Sequence, residues 1–447
     1  MRMRLSFLEM RSSFLLLAAV ATVIFFGLNA YFDTSTNSYL RLFTTYKIIF
    51  GVAFLVFVKV LARREDRDAL RIDGIYALAL FILVSLISAR ISNQPYSYKI
   101  FIQNCSYVLI YSIIVVGCRS LEDIKLLLNI LLYCGVFLIL FFGTFNVIPL
   151  EKLLPNTLMA DAVMEGVEHV ATYKLDYTQR SSMLWFESNS YGYLLSVLIM
   201  LALRRILCEK CRVTGKIFNY SILLILLYNL VLTQSRGAFL AATIAVGFIL
   251  TKSLRGKQLP ILALVGALVL LVSVVNSDTI ADLKNRFRTI PEMASYGRDI
   301  TLYEGTDSGR IVTIELALEE FTENPIWGNG GLHAGWYAGS GVHCFYIDLL
   351  AKWGILGFTF YTAFLIGTYM HIRKATLLLK NTNDTNINFA YIFMGIFIAC
   401  LVEALFAPLR YIFWISMGTA AAFCKLVIQN KYSIAAVKVT NRPNNRV

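Results

Sequence analysis

Arg236 in "TQSRGAFLAA" and Arg310 in "GTDSGRIVTIELALEEFTENPIWGNGG" are the residues in this chain best placed to bind an anion. A guanidinium stays protonated and meets phosphate oxygens with two parallel hydrogen bonds, so a few of them can neutralise a phosphate group without a metal ion. Arg236 precedes Gly237, which lets a backbone approach closely, and a helix begins just after it. The plainer reading of Arg236 is an arginine snorkelling at an interface. Arg310 sits at the mouth of a helix, where free N–H groups and the positive helix end favour an anion. Its plainer reading is an ion pair with Asp307 or Glu315. Arg180, in "DYTQRSSMLWFESNSYGYLL", is unremarkable taken alone.

His343 opens "HCFYIDLLAKWGILGF" after the hinge-like Gly339-Ser340-Gly341, and either a proton acceptor or a further phosphate donor fits it. His169, His333 and His371 read as structural, with His333 also carried as a substrate-binding candidate because of the loop it occupies. Asn189 in "ESNSYG" is a second such candidate. Glu403, just before Pro408 and Arg410, is the one acid deep in an apolar run, suited to pair with an arginine or to contact sugar hydroxyls. No D-x-D pair in a polar loop offers the acidic cage that Mg²⁺ wants, so no metal site and no cofactor is expected. Cys208 and Cys211 form a C-x-x-C with no second Cys or His pair nearby, which reads as two unpaired thiols.

These residues must be held by membrane helices. The chain has 447 residues, 57% hydrophobic and 15% charged, with mean hydropathy +0.65. Its apolar residues come in runs of roughly 17–25, the length that crosses a ~30 Å hydrocarbon core. Twelve such runs lie near 14–32, 44–62, 74–90, 100–117, 124–147, 189–203, 217–233, 237–251, 259–276, 354–372, 388–407 and 411–428. An all-α polytopic membrane protein of twelve spans is therefore expected, one transmembrane domain over 1–447. The first run is too long, and lacks a small-residue cleavage site, for a removable signal peptide.

Lys and Arg gather on alternate connections: Arg2, Arg4 and Arg11; Arg63, Arg64, Arg67 and Arg71; Arg204, Arg205, Lys210, Arg212 and Lys216; Lys252, Arg255 and Lys257; Arg373, Lys374 and Lys380. A basic tail at 430–447 adds Lys431, Lys438, Arg442 and Arg446. If all twelve runs span, these fall on one side, which the positive-inside rule makes cytoplasmic together with both termini. The net charge of +13 is then a topology signal and gives no reason to expect nucleic acid. Two larger loops face outward, 149–188 and 277–342, and the second carries the Arg310 helix. Within it Ile311, Ile314, Leu318 and Phe321 repeat at helical spacing after the capping residues Asp307 and Ser308, and Asn324-Pro325 ends the run. Phe345, Leu349 and Trp353 share a stripe, with Asp348 and Lys352 on another, as in a short interfacial helix entering the tenth run.

The order of these elements resembles the bacterial O-antigen ligase and O-antigen polymerase superfamily: Arg180 with "ESNSYG", then "SRGA", then "SGR" and "ENPIWGNGG", then His343 and "GILG". The resemblance covers roughly residues 180–360 and rests on the order and common outer placement of motifs that are individually weak. It implies an inverting glycosyltransferase in the bacterial inner membrane, using an undecaprenyl-diphosphate-linked oligosaccharide without nucleotide or metal. Arg236, Arg310 and His343 match the family's functional residues. Its implied partners are that lipid-linked sugar, membrane lipid and, as a candidate, a chain-length regulator protein. Cys344 stands where the family usually has a polar amide or hydroxyl residue, which weakens a strict ligase assignment. Repeat-unit polymerase is the expected activity. Transfer to lipid A core is the alternative, and a lipid-linked oligosaccharide flippase is a third reading, disfavoured because no matching halves are visible.

Overall fold

The computed structural model describes residues 74–93, 95–140, 188–209, 212–233, 235–253, 307–330, 342, 344–381, 386–406 and 411–440. Among them every regular element is a helix: α1 Ile75–Ser92, α2 Pro95–Gly117, α3 Leu121–Leu138, α4 Ser188–Cys208, α5 Val213–Leu232, α6 Arg236–Ser253, α7 Asp307–Glu323, α8 Phe345–Asn381, α9 Ile387–Glu403 and α10 Tyr411–Thr440. Seven of these are long and apolar enough to cross a membrane. Nine of the expected runs coincide with helices, while 14–32, 44–62 and 259–276 lie outside the described residues. With apolar faces on all sides and no polar stripe to present to water, such helices suit lipid surroundings.

The core is one continuous cluster built chiefly from α4, α9 and α10, whose Leu198, Ile396 and Ile415 are at most 1% exposed. Small residues let helices approach. Gly192 of α4 lies against Ala238 and Ser235, and Ser196 donates its hydroxyl to the Ala238 carbonyl at 3.1 Å. This small-residue packing replaces the hydrophobic drive that lipid does not supply between helices. Outward-facing Leu80, Leu83 and Leu86 on α1 and Ile217 and Phe218 on α5 remain exposed, as lipid-facing positions do.

α8 matches the expectation of a short helix leading into a separate span, because the two are divided at Gly354. Its 37 residues would extend about 55 Å at 1.5 Å per residue, and they are broken inside at Gly354, with φ 62 and ψ −169. The break frees carbonyls on one side and amides on the other, which cannot be left unpaired in a buried helix. The segment after α7 pairs all four. Asn329 and Gly330 donate to the carbonyls of Ala351 and Lys352, both at 3.0 Å, while Ile355 and Leu356 donate to those of Pro325 and Ile326 at 2.8 and 3.4 Å. Ser88 of α1 adds its hydroxyl to the Lys352 carbonyl at 3.1 Å. "NPIWGNG" is thus a backbone clamp across a helix break.

α7 forms where expected and ends before Asn324-Pro325, but two details differ. Asp307 is its first helical residue and not its cap. Leu318 is 41% exposed, and the buried contact is made by Thr313, Ile314 and Ala317 against Val342, Cys344, Ile347 and Ala351. Alanine at 317 and 351 lets the two helices meet more closely than a leucine stripe would.

Candidate functional site

The starts of α4, α6, α8 and α10 and the end of α9 gather at one end of the bundle. α6 begins at Arg236, in the first turn and not ahead of it as the sequence suggests. Ser235 caps the helix: its hydroxyl accepts from the Ala238 amide at 3.4 Å, and its carbonyl accepts from the Phe239 amide at 3.0 Å. Thr233 steadies the preceding turn by accepting from the Ser235 amide at 3.2 Å. Arg236, half-buried, therefore stands beside the uncapped N–H groups of a helix start.

Gly237 brings in the next element. A Cβ there would meet the Phe406 side chain at 2.7 Å, so α6 and the turn after α9 lie in direct contact. One turn before Phe406, Glu403 is 1% exposed, and among the described residues neither of its carboxyl oxygens has a hydrogen-bond partner. The Ala404 carbonyl accepts from the Phe345 amide at 2.8 Å, which fixes the start of α8 to the end of α9. Val342 and Cys344, the neighbours of His343, pack on α7 through Ala317 and Ile314. The backbone of Arg310 lies one turn before Ile314 on α7. α6, the end of α9, the start of α8 and α7 are thus linked in series through named contacts.

Asn189 occupies the first turn of α4, which meets the start of α6 at Gly192. Arg180, His333 and His343 lie outside the described residues, and for Asn189 and Arg310 the helical backbone alone is described. His371 is far along α8 and buried, as a structural histidine is. Among the described residues no group of His, Cys, Asp and Glu is arranged to hold a metal ion. Asp348 and Lys352, on the stripe expected of them, form an ion pair at 2.7 Å with both side chains largely buried.

The opposite end of the bundle carries residues that charge counting alone placed in a loop. Arg204 is fully buried and pairs with Glu209 at 3.0 Å, and Arg205 pairs with the same carboxylate at 3.1 Å. Both guanidinium groups donate to the Asn129 side-chain oxygen of α3, and Arg205 also reaches that of Asn219 at 3.2 Å. Arg204 lies over the Phe389 ring at 5.4 Å, Arg205 over Tyr133 at 5.1 Å. These arginines tie α3, α4, α5 and α9 together. Their doublet "RR" resembled any other basic connection, so only the helix register could have distinguished them.

Residues 221–362, from within α5 to within α8, match the family model described as O-Antigen ligase. The match takes in Arg236, Arg310, His333 and His343 and the whole "NPIWGNG" clamp. It supports the resemblance to the O-antigen ligase and polymerase superfamily, and the apolar helices fit a membrane protein. No curated protein matches the chain.

Proposed function

We propose that the protein is a membrane glycosyltransferase that polymerises undecaprenyl-diphosphate-linked oligosaccharide repeat units into a surface polysaccharide, at the outer face of the bacterial cytoplasmic membrane. What supports this reading is Arg236 at the start of α6, linked through Gly237 and Phe406 to the end of α9 and through Ala404 to the start of α8, with Arg236, Arg310 and His343 all in the matched part of the sequence. A sugar leaving a lipid diphosphate transfers negative charge to phosphate oxygens. Preorganised guanidinium groups and helix N–H groups stabilise that charge most where water is scarce. The reaction needs no metal on this account. The acceptor hydroxyl attacks the anomeric carbon from the face opposite the diphosphate, which inverts the configuration. Asn189, Arg180, His333 and Glu403 are assigned to holding substrate.

The second reading, transfer to lipid A core, is favoured by the description of the matching family and differs only in acceptor. The deciding experiment is the glycan of a deletion strain. Single repeats on the core mean polymerase, and full-length glycan retained on the lipid carrier means ligase. Loss of surface glycan with lipid-linked units trapped on the inner leaflet would overturn both and leave a flippase.

A further inference from the structure

Glu403 is the strangest charged residue among those described. It closes α9, next to helix carbonyls that repel a carboxylate. It is 1% exposed, and among the described residues neither carboxyl oxygen has a hydrogen bond. Burying an unpartnered carboxyl group costs several kcal/mol, so its presence calls for a role. Lys352, the nearest lysine along the start of α8, is already paired with Asp348. Tyrosines pack along the last turns of α9 and the start of α8. Tyr193 bonds Cys400, one turn earlier on α9, at 3.0 Å and lies within electrostatic reach of both Glu403 and Tyr361. Tyr346 donates to the Leu401 carbonyl at 3.2 Å. The Tyr361 hydroxyl is buried without a partner, and its ring lies 5.1 Å from Phe345. Aromatic surface with a few convergent polar groups is the composition of a small-ligand site.

Resting on the glycosyltransferase reading above, we propose that Glu403 accepts the proton of the acceptor sugar's hydroxyl. The hydroxyl oxygen forms the new bond to the anomeric carbon of the donor. The bond from that carbon to the diphosphate oxygen breaks, its electron pair leaves on the diphosphate, and the hydroxyl proton passes to the Glu403 carboxylate. The placement fits: Phe406, one turn on, touches Gly237 beside Arg236, and Ala404 bonds Phe345, two residues after His343. Glu403 and Arg236 then lie on elements in direct contact. His343 is left to act on the diphosphate.

The test is Glu403→Gln, which keeps shape and removes basicity, read in two ways: glycan chain formation in a host deleted for the gene, and binding of undecaprenyl diphosphate by the purified protein. The expected result is chain formation slowed 10²–10⁴-fold with undecaprenyl diphosphate bound as by the wild type. Chain formation within a few-fold of wild type overturns the proposal. So does joint loss of binding and chain formation, or loss of the variant from the membrane, since either makes Glu403 a structural group. If the wild-type chain itself neither restores glycan nor binds undecaprenyl diphosphate, the glycosyltransferase reading fails, independently of Glu403.

Discussion

The Ile326 carbonyl faces Gly354 so closely that no side chain fits between them. Gly354 is also in the left-handed region, at φ 62. Gly354→Ala therefore meets backbone that cannot retreat and adds conformational strain of about 1–3 kcal/mol. Gly247→Ala on α6 has nothing within 4 Å of the new Cβ and gains about 0.5–1 kcal/mol from lost chain entropy. Thermal unfolding of the two purified variants should move in opposite directions. Equal midpoints would mean the clamp is not rigid.

Arg310→Ala should slow chain formation by roughly 10²–10³, the loss that follows removal of one donor to a developing negative charge. Arg310→Lys should also fail substantially, because a point charge does not reproduce the planar fork. Membrane abundance should stay normal. Chain formation near wild type from the lysine variant would reduce Arg310 to an ion-pair partner.

A purified preparation should keep its turnover in excess chelator, since guanidinium groups take the role a divalent ion would have. Turnover lost with chelator and restored by Mg²⁺ or Mn²⁺ would end the arginine account.

Asn129→Ala should lower stability more than its small size suggests. Its side-chain oxygen accepts from both Arg204 and Arg205, and hydrogen bonds to charged groups contribute about 1.5–3 kcal/mol each. Glu122→Ala breaks a pair whose carboxylate is 80% exposed and should cost about 0–1 kcal/mol. Comparable midpoints for the two variants would show that the Arg204 network is no stronger than a surface pair.

The helices were legible because an apolar run long enough for a membrane has few other solutions. α7 was legible for the opposite reason, a polar helix with a Pro stop in an oily chain. The clamp was not. Residues 325–330 meet 351–356 through backbone groups, and backbone pairing between a loop and a helix break imposes no periodicity on side chains. Nor does sequence separate Arg204 from Arg205, since one step around a helix changes a lipid- or water-facing position into a buried one. Within the site, Arg236 and Glu403 were visible as charges in costly places. The contact of α6 with the turn after α9 was not, because it depends on Gly237 touching Phe406.

The clamp also fixes where variation can be tolerated. Gly330 is wedged against Ser88, Ser92 and Ser97, and Val342 is buried with Ala317 and Ala351. The stretch from 331 to 341 therefore leaves and rejoins the bundle at two immovable points. Lengthening a loop costs little free energy, about 0.6 kcal/mol per doubling, so exchanging residues 331–341 for a stretch of different length and composition should leave the helices and the clamp as they are.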